Sequence, residues 1–234
     1  MDLLFLNQEE VAALLNMKDT LTAVEDSFRE KGLGRVQMPP KIYIYYKRHD
    51  GDLRVMPCYM EGSERSGVKV VNVHPGNPAS KGLPTVMAVI ILVDPSTGAP
   101  LAVMDGTLIT AIRTGAASGV ATKYLARRDC ETLGIVGAGG QAVKQLEAIA
   151  EVAPIRKVKV CDKYRERAQR FVKDAEERFN LTFEAVDSVE ECVRGSDIVT
   201  TITPSRETIV EDEWVEWGAH INAIGADAPG KQEL

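Results

Sequence analysis

A cluster of glycines, "GIVGAGGQA" at residues 134–142, constrains the fold of this chain more than any other feature. It lies between the apolar run "TLGIV" and a segment, "QAVKQLEAIAEVAP", whose apolar residues recur at helical spacing. Further along, helical segments alternate with four more strand-like segments, "KVKVCD", "TFEAV", "SDIVTTITP" and "AHINAIGA". This alternation predicts a doubly wound parallel sheet with right-handed crossovers.

The glycines lie where a dinucleotide-binding turn needs them. Gly137 would permit the tight turn, Gly139 would let the backbone approach a pyrophosphate, and the small Ala142 would let the helix pack on the strand. Asp162 ends the next strand about twenty residues later, where a carboxylate can accept hydrogen bonds from ribose hydroxyls. The sequence therefore predicts a Rossmann domain that binds a nicotinamide dinucleotide. A Rossmann-like domain without a cofactor is the alternative.

The residues after this strand bear on which dinucleotide is preferred. The charge of Asp162 would repel the 2′-phosphate of NADP, so NAD is the predicted cofactor. Three basic residues follow at once and would soften that preference, so NADP stays open: Lys163, Arg165 and Arg167.

The first half of the chain has a different pattern. Asn7, with Glu10 three residues on, predicts the start of a helical region that breaks near Asn16 into two short helices. Alternating residues around a "HDGD" turn predict a hairpin, and three further strands follow. The loop "HPGNPASKGLP" is so rich in proline and glycine that neither helix nor strand is expected in it. An α+β domain with an antiparallel or mixed sheet is expected.

A long run of small and apolar residues, 107–128, predicts a helix that connects the two domains. We place the domains at residues 1–112 and 113–234. The second domain has five predicted strands, whereas a doubly wound domain usually has about six. A chain truncated at its C-terminus is therefore expected.

Charge and composition exclude several classes of function. The net charge is −6, with both signs spread along the chain, so no nucleic-acid partner is expected. The N-terminus lacks the basic region of a signal peptide, and no apolar run approaches about 18 residues, so a cytoplasmic protein without membrane association is predicted. The four cysteines and three histidines lack metal-ligand spacing, so no metal site is predicted.

Cations at strand edges are candidates for holding the carboxylate of a small acid beside a nicotinamide. Such residues lie in otherwise apolar surroundings at Lys41, Arg54, Lys69 and Arg113. Asp227 follows the last strand at its carboxyl end, where a site carboxylate is expected. From the pattern alone, a lysine between valines either reaches the surface or faces a cavity, and Asp227 could equally cap a helix.

Longer motifs carry a resemblance that covers nearly the whole chain. They are "MPPKIY", "KVVNVHPGNP", "KGLPTV", "AVMDGTLITAIRTGAASGVATKYLAR", "GIVGAGGQA" and "HINAIGADAPGKQEL". Through them the sequence resembles the ornithine cyclodeaminase and mu-crystallin family, and within it the archaeal alanine dehydrogenase branch. The resemblance implies a substrate-binding and dimerisation domain, then an NAD-binding Rossmann domain, in a homodimer. It also implies a chain that continues past Leu234, in line with truncation.

The resemblance assigns roles to the candidate residues. Lys41, Lys69 and Arg113 would surround the substrate carboxylate, and Asp227 would act as acid/base near the amino nitrogen. Arg54 stands where the cyclodeaminase branch has an acidic residue, which counts against ornithine as substrate. The predicted cofactor contacts are Thr85, Arg113, Thr114, Gly137, Gly139, Gly140, Gln141, Ala142, Asp162, Thr203, Asn222, Ala223, Ile224, Gly225 and Lys231.

These assignments predict an NAD-dependent amino acid dehydrogenase, with alanine, pyruvate and ammonia as the first substrates to test. Each step needs a proton shuttle, and crowding by Arg54, Lys41 and Arg113 is expected to lower the pKa of Lys69. The alternatives are an ornithine cyclodeaminase, a ketimine or cyclic imine reductase, a mu-crystallin-like protein that binds cofactor with little turnover, and a non-functional fragment.

Overall fold

A computed structural model describes residues 2–228 and 230–234 of the chain. The chain divides into two compact units, which we call unit 1 (Met1–Ile112) and unit 2 (Arg113–Leu234). Each unit contains one sheet. Within the described residues, no helix combines the length and the apolar character needed to cross a bilayer.

Unit 1 begins with a short strand and two helices whose starts are set by asparagines. These elements are β1 (Leu4–Leu6), α1 (Gln8–Leu14) and α2 (Met17–Gly32). The Asn7 side chain accepts the Glu10 N–H, and the Glu10 carboxylate accepts the Asn7 N–H, so two backbone donors are satisfied at the start of α1. The side chain of Asn16 caps α2 in the same position. The two predicted helices and their break near Asn16 are confirmed.

The sheet of unit 1 has seven strands. After β1 they are β2 (Val36–Gln37), β3 (Ile42–Tyr46), β4 (Gly51–Met60), β5 (Arg65–Val73), β6 (Val86–Val93) and β7 (Pro100–Asp105). They lie in the order β1-β7-β6-β5-β4-β2, with β3 also paired to β4. Only the pairing of β1 with β7 is parallel among the described strands of this sheet. The predicted mixed sheet and the hairpin of β3 and β4 are confirmed.

The proline-rich loop between β5 and β6 differs from the sequence prediction. It contains a short helix, α3 (Asn77–Lys81), where the composition predicts neither helix nor strand. Pro78 lies in the first turn of α3, where the N–H that proline lacks would have no partner within the helix. Gly82, with φ +66°, ends the helix in the left-handed conformation. The prediction was wrong because proline breaks a helix in its interior and not at its start.

The two faces of this sheet are covered differently. The face that carries Arg54 also carries the buried Val71 and Ala102, and α2 lies against it where Ser27 Oγ donates to Met60 Sδ over 3.8 Å. We call it the helix-covered face. The other face, which we call the apolar face, carries a row of side chains across four strands: Ile42, Val55, Val70 and Val89.

Unit 2 is a parallel sheet with helices packed on it. Its elements are the end of α4 (Thr107–Leu125), β8 (Thr132–Val136), α5 (Ala142–Val152), β9 (Lys157–Cys161), α6 (Arg165–Glu176), β10 (Thr182–Ala185), α7 (Val189–Val193), β11 (Ile198–Thr201) and β12 (His220–Ala223). The strands pair in parallel in the order β10-β9-β8-β11-β12. The predicted doubly wound α/β fold is confirmed.

Strand β8 is buried on both faces and so fixes the glycine turn at its end. Leu133 and Ile135 are fully buried with Leu146 of α5, while Val136 points to a second cluster that contains Cys192 of α7. Each fully buried aliphatic side chain of this kind contributes about 1.5–3 kcal/mol. The chain runs from β8 to β9 and β10 on one side and to β11 and β12 on the other. Ligands of such sheets bind at this reversal of strand order, outside the carboxyl ends of the strands.

Candidate functional site

The glycine turn follows β8 directly, and Gly137 makes its sharpest bend. Gly137 has φ +109°, and its N–H donates to Cys161 O over 2.8 Å. A Cβ at this position would lie 2.7 Å from Ile202 O. Because both the backbone angle and the available space exclude a side chain, only glycine fits here.

The next two glycines border an open surface at the start of α5. A Cβ added to Gly139 or Gly140 would meet no heavy atom of the described chain within 4 Å. The Ncap residue of α5 is Gln141, and no described side chain makes a capping hydrogen bond there. Gln141 Oε1 is buried and has no hydrogen-bond partner among the described residues. The positive end of the helix dipole faces this surface, as the phosphates of a dinucleotide require.

Close packing beneath the turn depends on small residues. Ala142, the first residue of α5, is fully buried in the core. A Cβ on Gly115 of α4 would lie 2.1 Å from Lys144 O, so α4 and α5 touch through their backbones at this point. Gly115 therefore has a packing role that outweighs its low helix propensity.

The carboxylate of Asp162 joins the end of β9 to the glycine turn. Its Oδ2 accepts the Ala138 N–H and its Oδ1 accepts the Tyr164 N–H, each over 2.9 Å. Two of the three cations that follow it are engaged with other groups: Arg165 pairs with Asp187, and the Arg167 guanidinium lies 4.6 Å from the ring centroid of Tyr164. Asp162 is thus held in the place that a ribose-binding carboxylate occupies in this fold.

The side chain of Asn222, at the end of β12, is used within unit 2. Asn222 Nδ2 donates to Thr122 Oγ1 of α4 over 3.1 Å, and Asn222 Oδ1 lies 3.2 Å from His220 Nε2. Burial lowers the pKa of His220, and the hydrogen bond to Asn222 opposes that shift. The other predicted contacts of this segment, Ala223, Ile224 and Gly225, lie at the carboxyl end of β12.

A buried carboxylate beside these strand ends is not predicted from the sequence. Glu233 accepts hydrogen bonds from the N–H and the hydroxyl of Thr203, which is itself a predicted cofactor contact. Glu233 belongs to "KQEL", a segment in which no periodicity or motif indicates burial. The contact joins residues thirty positions apart, and a local pattern carries no signal for it.

Three of the predicted site residues come together in unit 2. Lys231 Nζ lies 2.6 Å from Asp227 Oδ1, so these two form an ion pair. Burial lowers the pKa of Arg113, which still keeps exposed surface, and the negative charge of Asp227 opposes that shift. Thr114 lies next to Arg113 on α4. Lys231 therefore contacts the predicted acid/base directly.

The basic residues of unit 1 share the helix-covered face. Arg54 Nε donates to Asp52 Oδ1 over 2.7 Å and Nη2 to Oδ2 over 3.1 Å, with the two side chains 11% and 16% exposed. The ring centroid of Tyr43 lies 5.3 Å from Arg54 Cζ and 5.9 Å from Lys41 Nζ. Lys69 pairs with Met56, which places it diagonally beside Arg54 on the same face.

Asp52 and Tyr43 are further residues of this group that the sequence prediction leaves out. The register of β3 and β4 puts both on the face of Arg54, so alternation along the hairpin is the signal that would have found them. The carboxylate of Asp52 compensates the charge of Arg54 through two hydrogen bonds. Thr85 lies just before β6, where its carbonyl accepts the His74 N–H.

The strand order, the glycine turn and the anchored carboxylate of Asp162 define the class: an α/β protein with a Rossmann-type unit. Among the described residues, no three His, Cys, Asp or Glu side chains form a group that could hold a metal ion. The chain belongs to the ornithine cyclodeaminase/mu-crystallin family, whose sequence profile matches residues 1–234. The family predicted from the motifs is confirmed.

Individual relatives give the degree of likeness. Alanine dehydrogenase of Archaeoglobus fulgidus is 50% identical over 235 residues, which are 100% of this chain and 70% of that protein. A solved archaeal alanine dehydrogenase dimer with bound NAD has a TM-score of 0.93 at 50% identity, over 100% of this chain and 71% of that chain. The Δ1-pyrroline-2-carboxylate reductase of Thermococcus litoralis was solved with NADH and L-proline. It has a TM-score of 0.92 at 43% identity, over 99% of this chain and 71% of that chain. The predicted likeness to the archaeal branch is confirmed.

Proposed function

We propose that this chain is an NAD-dependent amino acid dehydrogenase that interconverts L-alanine with pyruvate and ammonia. The observation that carries the proposal is the basic group of Lys41, Arg54 and Lys69 on the helix-covered face. Such a group suits the carboxylate of a small amino or keto acid. In this proposal residues 1–112 bind the substrate and the partner subunit, and residues 113–234 bind the cofactor.

The residues present fit a nicotinamide dinucleotide. Gly139, Gly140 and the uncapped start of α5 would hold its phosphates, and Asp162 its adenosine ribose. When bound, the cofactor supplies a ring that takes or gives a hydride at the α carbon of the substrate. NAD is favoured over NADP because Arg165 and Arg167 have other partners, and an archaeal relative solved with NAD supports the same choice.

Arg54 and the two lysines would bind and orient the substrate carboxylate. Asp52 fixes the plane of the Arg54 guanidinium through two hydrogen bonds and compensates much of its charge. Lys41 and Lys69 lie on the same face and add positive charge for a carboxylate. In this proposal Arg54 orients the substrate carboxylate.

Two groups are assigned to proton transfer. Asp227, whose Oδ1 lies 2.6 Å from Lys231 Nζ, is the group proposed to accept a proton from an ammonium group or from water. Lys69, on the helix-covered face of unit 1, would return a proton to the substrate nitrogen or oxygen when the reaction runs in reverse. Amino acid oxidation needs one group that accepts a proton and one that gives a proton, because the reaction consumes water and releases ammonia.

The apolar face of unit 1 supports a homodimer. Ile42 and Ile44 on this face are 58% and 53% exposed, and the row of apolar side chains crosses four strands. Exposed apolar surface of this extent usually marks a protein interface. A second copy of the chain is the proposed partner, as in the archaeal relative that was solved as a dimer.

A cyclic imine reductase is the second candidate, because a relative named for that activity is 43% identical and was solved with L-proline. Both activities use the same carboxylate group and differ in the pocket for the rest of the substrate. The test is NADH oxidation with pyruvate plus ammonium, with each omitted in turn, beside Δ1-pyrroline-2-carboxylate as substrate.

The outcomes separate the candidates. Oxidation that requires both pyruvate and ammonium supports the dehydrogenase, and faster oxidation with the cyclic imine alone supports the reductase. Ammonia released from ornithine without net change in NADH would support a cyclodeaminase. NADH binding without turnover on any of these substrates would contradict the proposed activity and support a binding protein.

A further inference from the structure

The proposed function leaves one buried group without a role. Glu233 is 1% exposed, and its two carboxylate oxygens accept four hydrogen bonds. Oε1 accepts the N–H and the hydroxyl of Thr203 over 2.7 and 2.8 Å. Oε2 accepts the Thr201 hydroxyl over 2.9 Å and the Gly225 N–H over 2.7 Å. Every oxygen lone pair that a carboxylate offers is therefore used.

These four donors lie at the carboxyl ends of two neighbouring strands, β11 and β12. Thr201 is the last residue of β11, and Gly225 lies two residues past the end of β12. A Cβ at Gly225 would lie 2.1 Å from Thr203 O and 2.3 Å from Glu233 Oε1, so the two strand ends and the carboxylate are in close contact. The carboxylate thus joins the two strand ends beside their last backbone hydrogen bonds, in which Thr201 O accepts the N–H of Ile224 over 2.8 Å and that of Gly225 over 3.3 Å.

The main chain of Glu233 is fixed as firmly as its side chain. The Glu233 carbonyl accepts the N–H of Ile209 over 3.0 Å and that of Val210 over 3.2 Å. Taking a carboxylate out of water costs several kcal/mol, which these contacts must offset. A neutral side chain would fill the space between the strand ends at a lower cost in free energy. The buried carboxylate therefore indicates that Thr203 and Gly225 must be held at fixed positions.

The location of these strand ends indicates why Thr203 and Gly225 must be held in place. In doubly wound sheets a dinucleotide lies across the point where strand order reverses, with one half on each side. Asp162 and the glycine turn are at the ends of β8 and β9, which is the adenosine side. The ends of β11 and β12 are therefore on the nicotinamide side.

We propose that Glu233 is a positioning residue for the nicotinamide half of the cofactor: it holds Thr203 and Gly225 at the spacing that this half needs. The inference rests on the proposed binding of NAD. Only binding of the nicotinamide half should depend on Glu233, because the side-chain hydrogen bonds of Glu233 hold no residue of the glycine turn or of the end of β9.

Glu233→Gln is an informative change because it keeps the shape of the side chain. Each carboxylate oxygen accepts one backbone N–H, from Thr203 or from Gly225. Whichever way the amide is turned, its NH2 group faces one of these donors and cannot accept from it. One strand end is therefore released. Glu211→Gln is the matched control, since Glu211 is exposed in the same unit.

The test is titration of the whole chain with NADH and, separately, with ADP-ribose, which lacks the nicotinamide. We expect Glu233→Gln to weaken NADH binding about tenfold, the equivalent of one lost hydrogen bond to a charged group, with ADP-ribose affinity unchanged. The emission of bound NADH should also shift towards that of free NADH. Thr203→Val, which removes one hydroxyl donor and keeps the N–H, should weaken NADH binding in the same selective way.

Three results would overturn the inference. They are unchanged NADH binding in both variants, equal weakening of NADH and ADP-ribose, and equal weakening by Glu211→Gln. The wild-type titration comes first: if the folded wild-type chain binds ADP-ribose but not NADH, the proposed function fails together with the inference. If wild type binds NADH and the variants do so equally well, only the role of Glu233 fails.

Discussion

The carboxylate of Asp52 holds the guanidinium of Arg54 at two points, with Oδ1 2.7 Å from Nε and Oδ2 3.1 Å from Nη2. The two residues are separated by one position on β4, so their side chains leave the same face of the sheet. Both side chains are mostly buried. This pair holds the guanidinium of Arg54 in a fixed orientation on the helix-covered face.

Removal of Asp52 should therefore cost both stability and substrate binding. Asp52→Ala removes the carboxylate that accepts two hydrogen bonds from the mostly buried Arg54 guanidinium, and we expect the free energy of unfolding to fall by about 3 kcal/mol. The Michaelis constant for the keto acid should rise as well, because Arg54 is no longer oriented. Urea denaturation and steady-state kinetics measure the two effects.

A matched control is Asp26→Ala, which breaks the exposed pair of Asp26 with Arg29 on α2. Exposed pairs contribute about 0–1 kcal/mol, so a small change is expected. Equal destabilisation by the two variants would contradict the assignment of Asp52 and Arg54 as a buried functional pair.

Replacement of Lys69 tests the proposed proton transfer. Lys69→Ala should lower turnover about a hundredfold or more, the usual contribution of a positioned acid or base, with NADH affinity unchanged. Lys47→Ala, on the exposed turn after β3, is the control and should keep wild-type turnover. Near wild-type turnover in Lys69→Ala would remove Lys69 from the mechanism.

The burial of His220 predicts a loss of stability in acid. Burial lowers the pKa of His220 below its ordinary value of 6.5, so the unfolded chain binds a proton more readily than the folded one. The stabilisation is present above pH 6.5 and is lost as the pH falls through the lowered pKa of the folded state. Urea denaturation at several pH values should show a shallower acid decline for His220→Gln than for wild type.

His49→Gln, in the exposed turn between β3 and β4, is the control for this measurement. Its acid decline should match that of the wild type. If the stability of His220→Gln falls as steeply in acid as that of wild type and His49→Gln, His220 is not the group responsible.

The apolar face predicts the oligomeric state. Ile44→Lys places a charge on that face at its β3 edge, and we expect the mass in sedimentation to fall from that of a dimer to that of a monomer. Leu14→Lys, which changes a more exposed apolar residue at the end of α1, should leave the dimer intact. A wild-type chain that sediments as a monomer, or an Ile44→Lys dimer, would contradict the proposed interface.

Patterns that span a few residues predict much of this fold. The reciprocal hydrogen bonds of Asn7 and Glu10 need only residues three positions apart, and the sequence shows them directly. The parallel sheet follows from regular alternation, and Gly137 has the conformation that its place in the turn requires. These features are local, so the chain segment that forms them also displays them.

Contacts between distant residues account for what the sequence does not show. The pairing of β1 with β7 joins residues about a hundred positions apart, and a three-residue strand carries too little pattern to be recognised. Glu233 lies in a segment whose composition suggests a polar tail, yet its environment is made by β11 and β12. In the candidate site, the sequence indicates the cations as candidates but not Asp52 or Tyr43, because the positions of these two follow from strand register.

Binding of a dinucleotide on the glycine turn is tested by an NADH fluorescence titration of wild type and Gly139→Asp. A side chain at Gly139 meets open space, so the variant should melt at the wild-type temperature. We predict saturable NADH binding by the wild-type chain and binding weaker by about tenfold or more in Gly139→Asp, because the new carboxylate repels the phosphates. Equal affinity in the two proteins, or no binding by folded wild type, would show that no dinucleotide lies on the glycine turn.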